Sequence, residues 1–98
     1  MMIKEILLQL ENSVSPVAKA IHKGENFKVL AIGFKKGMIL KEHKTKLPAK
    51  LTVLKGRVNY SEGTKSKELN QYDETDIPVE VLHSVVCIDD ALCLLTQG

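Results

Sequence analysis

The spacing of apolar residues changes once along the chain, near residue 12. Before that point they follow the i, i+3, i+4, i+7 spacing of a helix with one apolar stripe, formed by Ile3, Ile6, Leu7 and Leu10. Segment 12–16 then combines Asn, Ser and Pro, residue types that end helices and start turns. Beyond it the helical period disappears. The pattern therefore predicts a short helical segment within residues 1–12.

From residue 17 onwards, short apolar segments alternate with turn signals. The predicted extended segments are 17–22, 27–34, 38–45, 50–54, 57–60, 69–72, 77–83, 84–88 and 91–95. Segment 73–76 is polar and is expected to lie outside the strands. Asp89-Asp90 is expected to form a tight turn between the last two strands. Many short strands after one helix indicate an antiparallel sandwich or barrel.

Composition narrows the class of protein further. The chain has 98 residues, which is the length of one domain and leaves no room for a second lobe. Hydrophobic residues make up 44% and charged residues 27%, ordinary values for a globular protein and too apolar for a disordered one. With two Phe, two Tyr and no Trp, the core must be mainly aliphatic.

The charges are unevenly distributed although the net charge is only +2. Segment 35–57 carries eight basic residues and one acidic residue, whereas segment 61–90 carries eight acidic residues and two lysines. The basic segment has neither interleaved aromatics nor a recognition helix, so no nucleic-acid partner is expected. A solvated face, cross-strand ion pairs and complementarity between subunits all remain open as explanations.

Cysteine usage and the chain start bear on the compartment. Two cysteines in so small a chain do not form the dense disulfide set of a secreted domain. The N-terminus lacks a signal-peptide pattern, and no apolar run approaches the length of about 20 residues that a membrane helix needs. We therefore expect a cytoplasmic protein with reduced, buried thiols and no membrane partner.

The histidines are the residues whose chemistry is most informative. His22 borders a predicted hairpin and is expected to be exposed. His43 and His83 lie in different extended segments, and residues on different strands can converge inside a barrel whatever their separation in sequence. Each is either a hydrogen-bonded structural residue or part of a site.

The segments around these two histidines resemble the two motifs of the cupin family. Residues 37–56, GMILKEHKTKLPAKLTVLKG, follow the first motif, G-x5-H-x-H-x3-E-x6-G, with Gly37, His43 and Gly56 in register. Residues 72–87 follow the second, G-x5-P-x-G-x2-H-x3-N, with Pro78 and His83 in register. The resemblance implies one small cupin-2 type domain over 1–98. It comprises a helical segment, 1–12, and an all-β antiparallel jelly-roll barrel, 17–98.

The resemblance also implies a metal site, from which this sequence departs. In the family, two His and one Glu of the first motif and the His of the second bind a divalent metal. His43 and His83 match, but Thr45 stands at the second His position and Ala49 at the Glu position. In the second motif, other residues replace the usual Gly, Gly and Asn: Tyr72, Glu80 and Cys87.

The pocket candidates are therefore His43, Thr45, His83, Lys41 and Cys87. An apolar pocket is expected, with His43, Thr45 and His83 as its few polar groups. Lys41 is either an anion clamp beside His43 or a surface lysine in a strand that bends at Glu42. Cys87 lies an even step from His83 and is either a soft third ligand or a small buried residue. Bound Fe, Mn, Ni or Zn would have to use this incomplete set.

Three classes of function follow. The protein binds a small molecule in its barrel through His43 and His83, or it is a metal-dependent enzyme of the oxygenase or isomerase type. The third class is a structural dimer that engages a protein partner. The missing ligands favour the first class. A homodimer is also expected, with the N-terminal segment pairing with a neighbour's sheet.

Overall fold

The computed structural model describes the backbone of residues 2–98 and all of their side chains except those of Met2, Glu42 and His43. One helix precedes seven strands. The elements are α1 (Met2–Leu10), β1 (Val17–Lys23), β2 (Lys28–Phe34), β3 (Ile39–His43), β4 (Ala49–Glu62), β5 (Lys65–Leu69), β6 (Glu74–Ile77) and β7 (His83–Gln97). The predicted all-β architecture with a short N-terminal helix is confirmed.

Two long strands, β4 and β7, organise the sheet. They pair antiparallel from Ala49 opposite Gln97 to Glu62 opposite His83. The first half of β4 also pairs with β6 and its second half with β5. The first half of β7 pairs with β3 and its second half with β2, which pairs with β1. Each long strand thus belongs to both layers of an antiparallel jelly roll.

The core lies between these layers and is built by alternation along the strands. In β7 the odd-numbered residues are buried, apart from Asp89 and Gln97, and the intervening ones are half-buried or exposed. The buried cluster is mainly aliphatic, and its aromatic members are Phe34 and Tyr60. Helix α1 covers the outer face of β1 and β2, with Ile6 and Leu10 buried. Gly33 of β2 lies beneath them, since a Cβ there would stand 2.9 Å from Ile6 Cγ2.

Two expected strand breaks, one between the strands 50–54 and 57–60 and one at the Asp89-Asp90 turn, are wrong. Strand β4 continues through Gly56, and β7 continues through Asp89-Asp90. The two strands bend together here, and the β4–β7 register shifts between Val53 and Val58. The polar residues that suggested a turn hold the bend instead. Arg57 Nε donates to Asp89 Oδ2 at 2.9 Å, and the Lys36 backbone N donates to Asp90 Oδ1 at 2.8 Å.

A third correction concerns the segments around Pro78. The polar segment expected to be irregular contains β6, whose Thr75 and Ile77 are buried while Glu74 and Asp76 are exposed. Four residues carry too little alternation to identify a strand without its partner. Conversely, the expected extended segment 77–83 is largely a turn between β6 and β7.

The uneven charge distribution is explained in part by ion pairs between strands. Lys50 Nζ lies 3.7 Å from carboxylate oxygens of Glu74 and Asp76 on β6. Arg57 contacts Glu68 at 3.5 Å and Asp89 at 2.9 Å. The basic half of the chain therefore pairs with the acidic half across the sheet. These pairs are exposed, and each contributes at most about 1 kcal/mol.

Two observations bear on the environment and assembly of the chain. Within residues 2–98, no helix is long and apolar enough to span a membrane. Strand β1 pairs with β2 alone among the strands described, so one of its edges faces outward. The homodimer expected through the N-terminal segment stays a prediction.

The bend at Gly56 generates the first testable prediction. Gly56 has φ +86°, and a Cβ there would collide with the Asp90 carbonyl oxygen. We expect Gly56→Ala to lower the free energy of unfolding by about 2–3 kcal/mol, through left-handed strain and the clash together. Urea denaturation measures the change.

Gly37→Ala is the matched control, because Gly37 also has φ +86° but has no atom within 4 Å of its Cβ position. We expect Gly37→Ala to lower the free energy of unfolding by about 1 kcal/mol, because only the left-handed backbone strain applies there. Equal losses for the two variants would contradict the close approach at Asp90.

Candidate functional site

His83, the histidine of the second motif, begins β7 and is only 2% exposed. Its Nδ1 lies 3.2 Å from the carbonyl oxygen of Val81. Because a carbonyl only accepts, the Nδ1 atom carries the proton, and the neutral ring then has its lone pair on Nε2. This backbone contact anchors the imidazole in one orientation and one tautomer.

The register of three strands places two other chemical groups beside His83. On β3, His43 is its direct partner, and on β4 its partner is Glu62. Directly opposed residues in an antiparallel ladder have Cα atoms about 4.5–5.5 Å apart. The fold therefore brings the two motif histidines to adjacent backbone positions. The side chain of His43 lies outside the described residues.

A tyrosine and a glutamate on β4 complete a polar cluster, buried at Tyr60 and His83 and half-buried at Glu62, that sequence reasoning missed. Tyr60 is 2% exposed, and its hydroxyl donates to Glu62 Oε2 at 2.6 Å. Burial, and then the Glu62 carboxylate, raise the pKa of the Tyr60 phenol well above its ordinary value, so the group remains a donor. The Tyr60 and His83 rings stack, with centroids 6.0 Å apart and planes at 30°.

An open groove of about 750 Å³ borders this cluster. Its described lining comes from β4, from the β4–β5 hairpin with β5, and from β6: Tyr60, Glu62, Thr64, Lys65, Ser66, Lys67, Thr75 and Asp76. These residues are mainly polar, unlike the aliphatic lining expected from the sequence. In the sequence, the alternation at positions 58, 60 and 62 places these residues on one face of a strand. This local pattern does not identify the strands that line the groove with them.

Thr45 is the second pocket candidate that the structure describes. It is 5% exposed, and its Oγ1 atom has no hydrogen-bond partner among the described residues. The Thr45 carbonyl accepts from the Glu80 backbone N at 2.9 Å, which fixes the backbone. A buried polar group without a partner costs about 1–3 kcal/mol. A water molecule or a ligand group that bonded to this hydroxyl would remove that cost.

Lys41 is exposed on β3. The β3–β7 register shifts between Leu40 and His43, and this irregularity breaks the simple alternation from which a shared face with His43 was expected. The backbone thus departs from regularity close to Glu42, as the surface-lysine alternative supposed. His22 is exposed on β1, with its ring 5.4 Å from that of Phe27.

Cys87 shares the inner face of β7 with His83, as expected, but lies four residues away, about 13 Å along the strand. Its thiol donates to the Asp89 carbonyl at 2.9 Å. Burial, followed by the nearby charges of Asp90 and Asp89, raises the pKa of this thiol to about 11. A metal ligand must be a thiolate, so this environment favours the small buried residue over the soft ligand.

The described donors do not fit the metal centre of the cupin family. Ala49 is buried and supplies no donor atom, and the Thr45 hydroxyl is a poor ligand for Zn. Among the side chains that the structure describes, no three His, Cys, Asp or Glu form a group able to hold a metal ion.

The backbone conformation of the second cupin motif is retained at two positions where other residues replace its glycines. Tyr72 has φ +72° and Glu80 has φ +62°, the left-handed region that glycine adopts without strain. These are the two positions at which the cupin motif has glycine. Tyr72 is held by its backbone N, which donates to the Val53 carbonyl at 2.7 Å. The surrounding hydrogen bonds therefore impose the turn on residues that disfavour it.

Comparison with known proteins identifies the fold. A cupin superfamily protein from Desulfitobacterium hafniense DCB-2 has a TM-score of 0.81 at 13% identity, over 88% of this chain and 79% of that chain. An RmlC-like cupin protein from Desulfovibrio desulfuricans has a TM-score of 0.79 at 24% identity, over 86% and 82%. A cupin 2 conserved barrel domain protein from Leptotrichia buccalis has a TM-score of 0.81 at 24% identity, over 88% and 42%.

No protein-family profile and no curated protein matches the sequence. The structural likeness is below 25% identity and establishes the fold. The chain is a small cupin barrel, and the predicted resemblance is confirmed at that level.

The thiol environment predicts how stability depends on pH. The folded state retains the Cys87 proton up to about pH 11, whereas the thiol of the unfolded chain titrates near its ordinary value of 9.0. The stabilisation is therefore complete below about pH 9 and is lost as the pH rises to about 11. Urea denaturation from pH 8 to 11 should show a shallower decline for Cys87→Ala than for the wild type. Parallel curves would contradict the raised pKa.

The left-handed position at Glu80 supplies another prediction. We expect Glu80→Gly to raise the free energy of unfolding by about 1 kcal/mol, because glycine relieves the strain by more than its added freedom in the unfolded chain costs. Glu25→Gly is the control, since Glu25 is an exposed turn residue without positive φ. It should be neutral or destabilising. A loss of stability in Glu80→Gly would show that the Glu80 side chain contributes more than its backbone strain costs.

Proposed function

We propose that the protein binds a small molecule at the polar end of its barrel, with His43 and His83 among the contacts. The observation that carries the proposal is a polar cluster in which Tyr60 and Glu62 line the 750 Å³ groove and His83 stacks on Tyr60. Polar groups held in fixed orientations beside a cavity are typical of ligand sites. The contact of Nδ1 with the Val81 carbonyl holds the His83 ring in one orientation beside Tyr60.

Two further observations support binding. The buried Thr45 hydroxyl has no described protein partner, and such groups are usually satisfied by water or ligand. The raised pKa of Tyr60 keeps its hydroxyl protonated, so Tyr60 remains a hydrogen-bond donor across the neutral range. Neither observation requires a chemical step, and no catalytic role is proposed.

The test is ligand-observed NMR with a defined mixture of hydroxy acids, sugars and amino acids, on protein made without a His tag. We expect at least one compound to bind the wild type. The same compound should bind His83→Gln about tenfold less tightly, which corresponds to a loss of about 1.4 kcal/mol of binding free energy. Gln is polar and of similar size, which limits damage to the buried site. Circular dichroism verifies folding.

His22→Gln is the matched control, because His22 is exposed on β1, which pairs with β2 and not with the strands that carry the polar cluster. It should bind like the wild type. Failure of every compound to bind, or equal binding by His83→Gln, would contradict the proposal.

The alternative function, a metal-dependent enzyme, is tested by measuring the metal content of the same protein after incubation with Fe(II), Mn(II), Ni(II) and Zn(II). The poor fit of Thr45 and Ala49 leads us to expect less than one equivalent of metal. Stoichiometric metal that is lost in both His43→Ala and His83→Gln would favour the oxygenase or isomerase class instead.

A further inference from the structure

The groove beside the polar cluster contains an imbalance of charge. Four charged side chains line it: Glu62, Lys65, Lys67 and Asp76. Their formal charges cancel, so the groove appears neutral in a simple count. The contacts of each group show that the acids and the lysines are not equivalent.

The two carboxylates each have a partner within the protein. Glu62 accepts the short hydrogen bond from the Tyr60 hydroxyl. An oxygen of Asp76 lies 3.7 Å from Lys50 Nζ on β4, and Lys50 is outside the groove lining. An accepted hydrogen bond or a nearby ammonium group stabilises each carboxylate in place.

The two lysines have no such partner among the side chains that the structure describes. Lys65 lies opposite Glu62 and Lys67 lies opposite Tyr60 in the β4–β5 ladder, so both lie on the face that borders the groove. Among the described residues, neither ammonium group forms an ion pair within 4.0 Å. The hydrogen bond from the neutral Tyr60 hydroxyl leaves the charge of Glu62 in place, whereas Asp76 is offset by Lys50. The groove then has one more positive than negative charge, and its two cations lie on β5.

Three residues with hydroxyl groups line the groove together with these lysines. Thr64 and Ser66 lie beside the lysines in the chain, and Thr75 belongs to β6 and is only 6% exposed. Each hydroxyl can donate one hydrogen bond and accept others. A ligand that contacts this wall therefore meets two cations and several neutral hydrogen-bonding groups.

We propose that the groove takes a small hydroxylated anion, whose carboxylate or phosphate group is held by Lys65 and Lys67. Its hydroxyl groups hydrogen-bond along the wall formed by Thr75 and the Tyr60–Glu62 pair. This inference rests on the proposed function and names the chemical class of its ligand. Because both lysines are exposed, the attraction is screened, and each contributes about a threefold to fivefold gain in affinity.

The experiment titrates three probes into the isotopically labelled protein and follows the amide resonances. Gluconate carries a carboxylate and hydroxyls, glucitol is its neutral counterpart, and inorganic phosphate represents the other anionic group. We expect gluconate to shift the resonances of β5 and Thr75 and to bind more tightly than glucitol. Shifts with phosphate but not with gluconate would assign the anion as phosphate and still support the proposal.

Single variants Lys65→Gln and Lys67→Gln should each weaken gluconate or phosphate binding about threefold to fivefold, and the double variant about tenfold or more. Lys55→Gln is the matched control, because Lys55 is an exposed lysine of β4 outside the groove and the change in net charge is the same. Added salt should weaken binding to the wild type more than to the double variant.

The outcomes separate this inference from the proposed function. Binding of glucitol that depends on His83 but not on the lysines would contradict the proposal of an anionic ligand. It would still support the proposed small-molecule site. Anion binding weakened equally by Lys55→Gln and by the groove variants would overturn it as non-specific attraction. If neither gluconate nor phosphate shifts β5, the inference is wrong. Anion binding that needs the lysines but not His83 would support it and contradict the role proposed for His83.

Discussion

The antiparallel pairing of β4 with β7 is the constraint on which the rest of the structure depends. It extends from Ala49 opposite Gln97 to Glu62 opposite His83, and every other strand except β1 pairs with one of these two. Because facing residues in such a ladder share a side of the sheet, the register decides which side chains meet inside the barrel. It places Tyr60 and Glu62 against the strand that carries His83.

The shared bend of these strands shows how this pairing is sustained. A bulge with left-handed Gly56 lets the two backbones approach closely at Asp90, and the Asp89 and Asp90 carboxylates bond to neighbouring residues. The bend changes the alternation of β4, so that Val53 and Val58 are both buried. Without that change, the residues beyond the bend would present their other face, and Tyr60 would not be buried beside His83.

The barrel keeps the backbone of its motifs while the chemistry at its polar end differs from a metal centre. Tyr72 and Glu80 adopt left-handed conformations that the motif normally gives to glycine, because the hydrogen bonds around them fix the turn. At the metal positions, an alanine and a threonine replace donors of high affinity. The groups that remain near the groove are an anchored imidazole, hydroxyls, a carboxylate and ammonium groups.

Particular residues show which features of the structure local sequence patterns predict and which they do not. The stripe of Ile6 and Leu10 was sufficient for the helix, because a helical face is set by residues a few positions apart. Asp89-Asp90 suggested a turn for sound local reasons, yet their carboxylates are used by Arg57 and by the Lys36 backbone, distant in sequence. Tyr60 and Glu62 belong to no recognised motif, and nothing local indicates that they lie beside His83.

By itself, the sequence determined the fold class and the short N-terminal helix and identified His83 as a candidate site residue, since these depend on periodicity and on residues at fixed spacing. Only the tertiary structure decided which strands bend rather than reverse and which polar groups border the groove. It also decided which of the described charged side chains form ion pairs. Those properties arise from cross-strand register and from contacts between residues far apart in the chain, which are established only when the barrel closes.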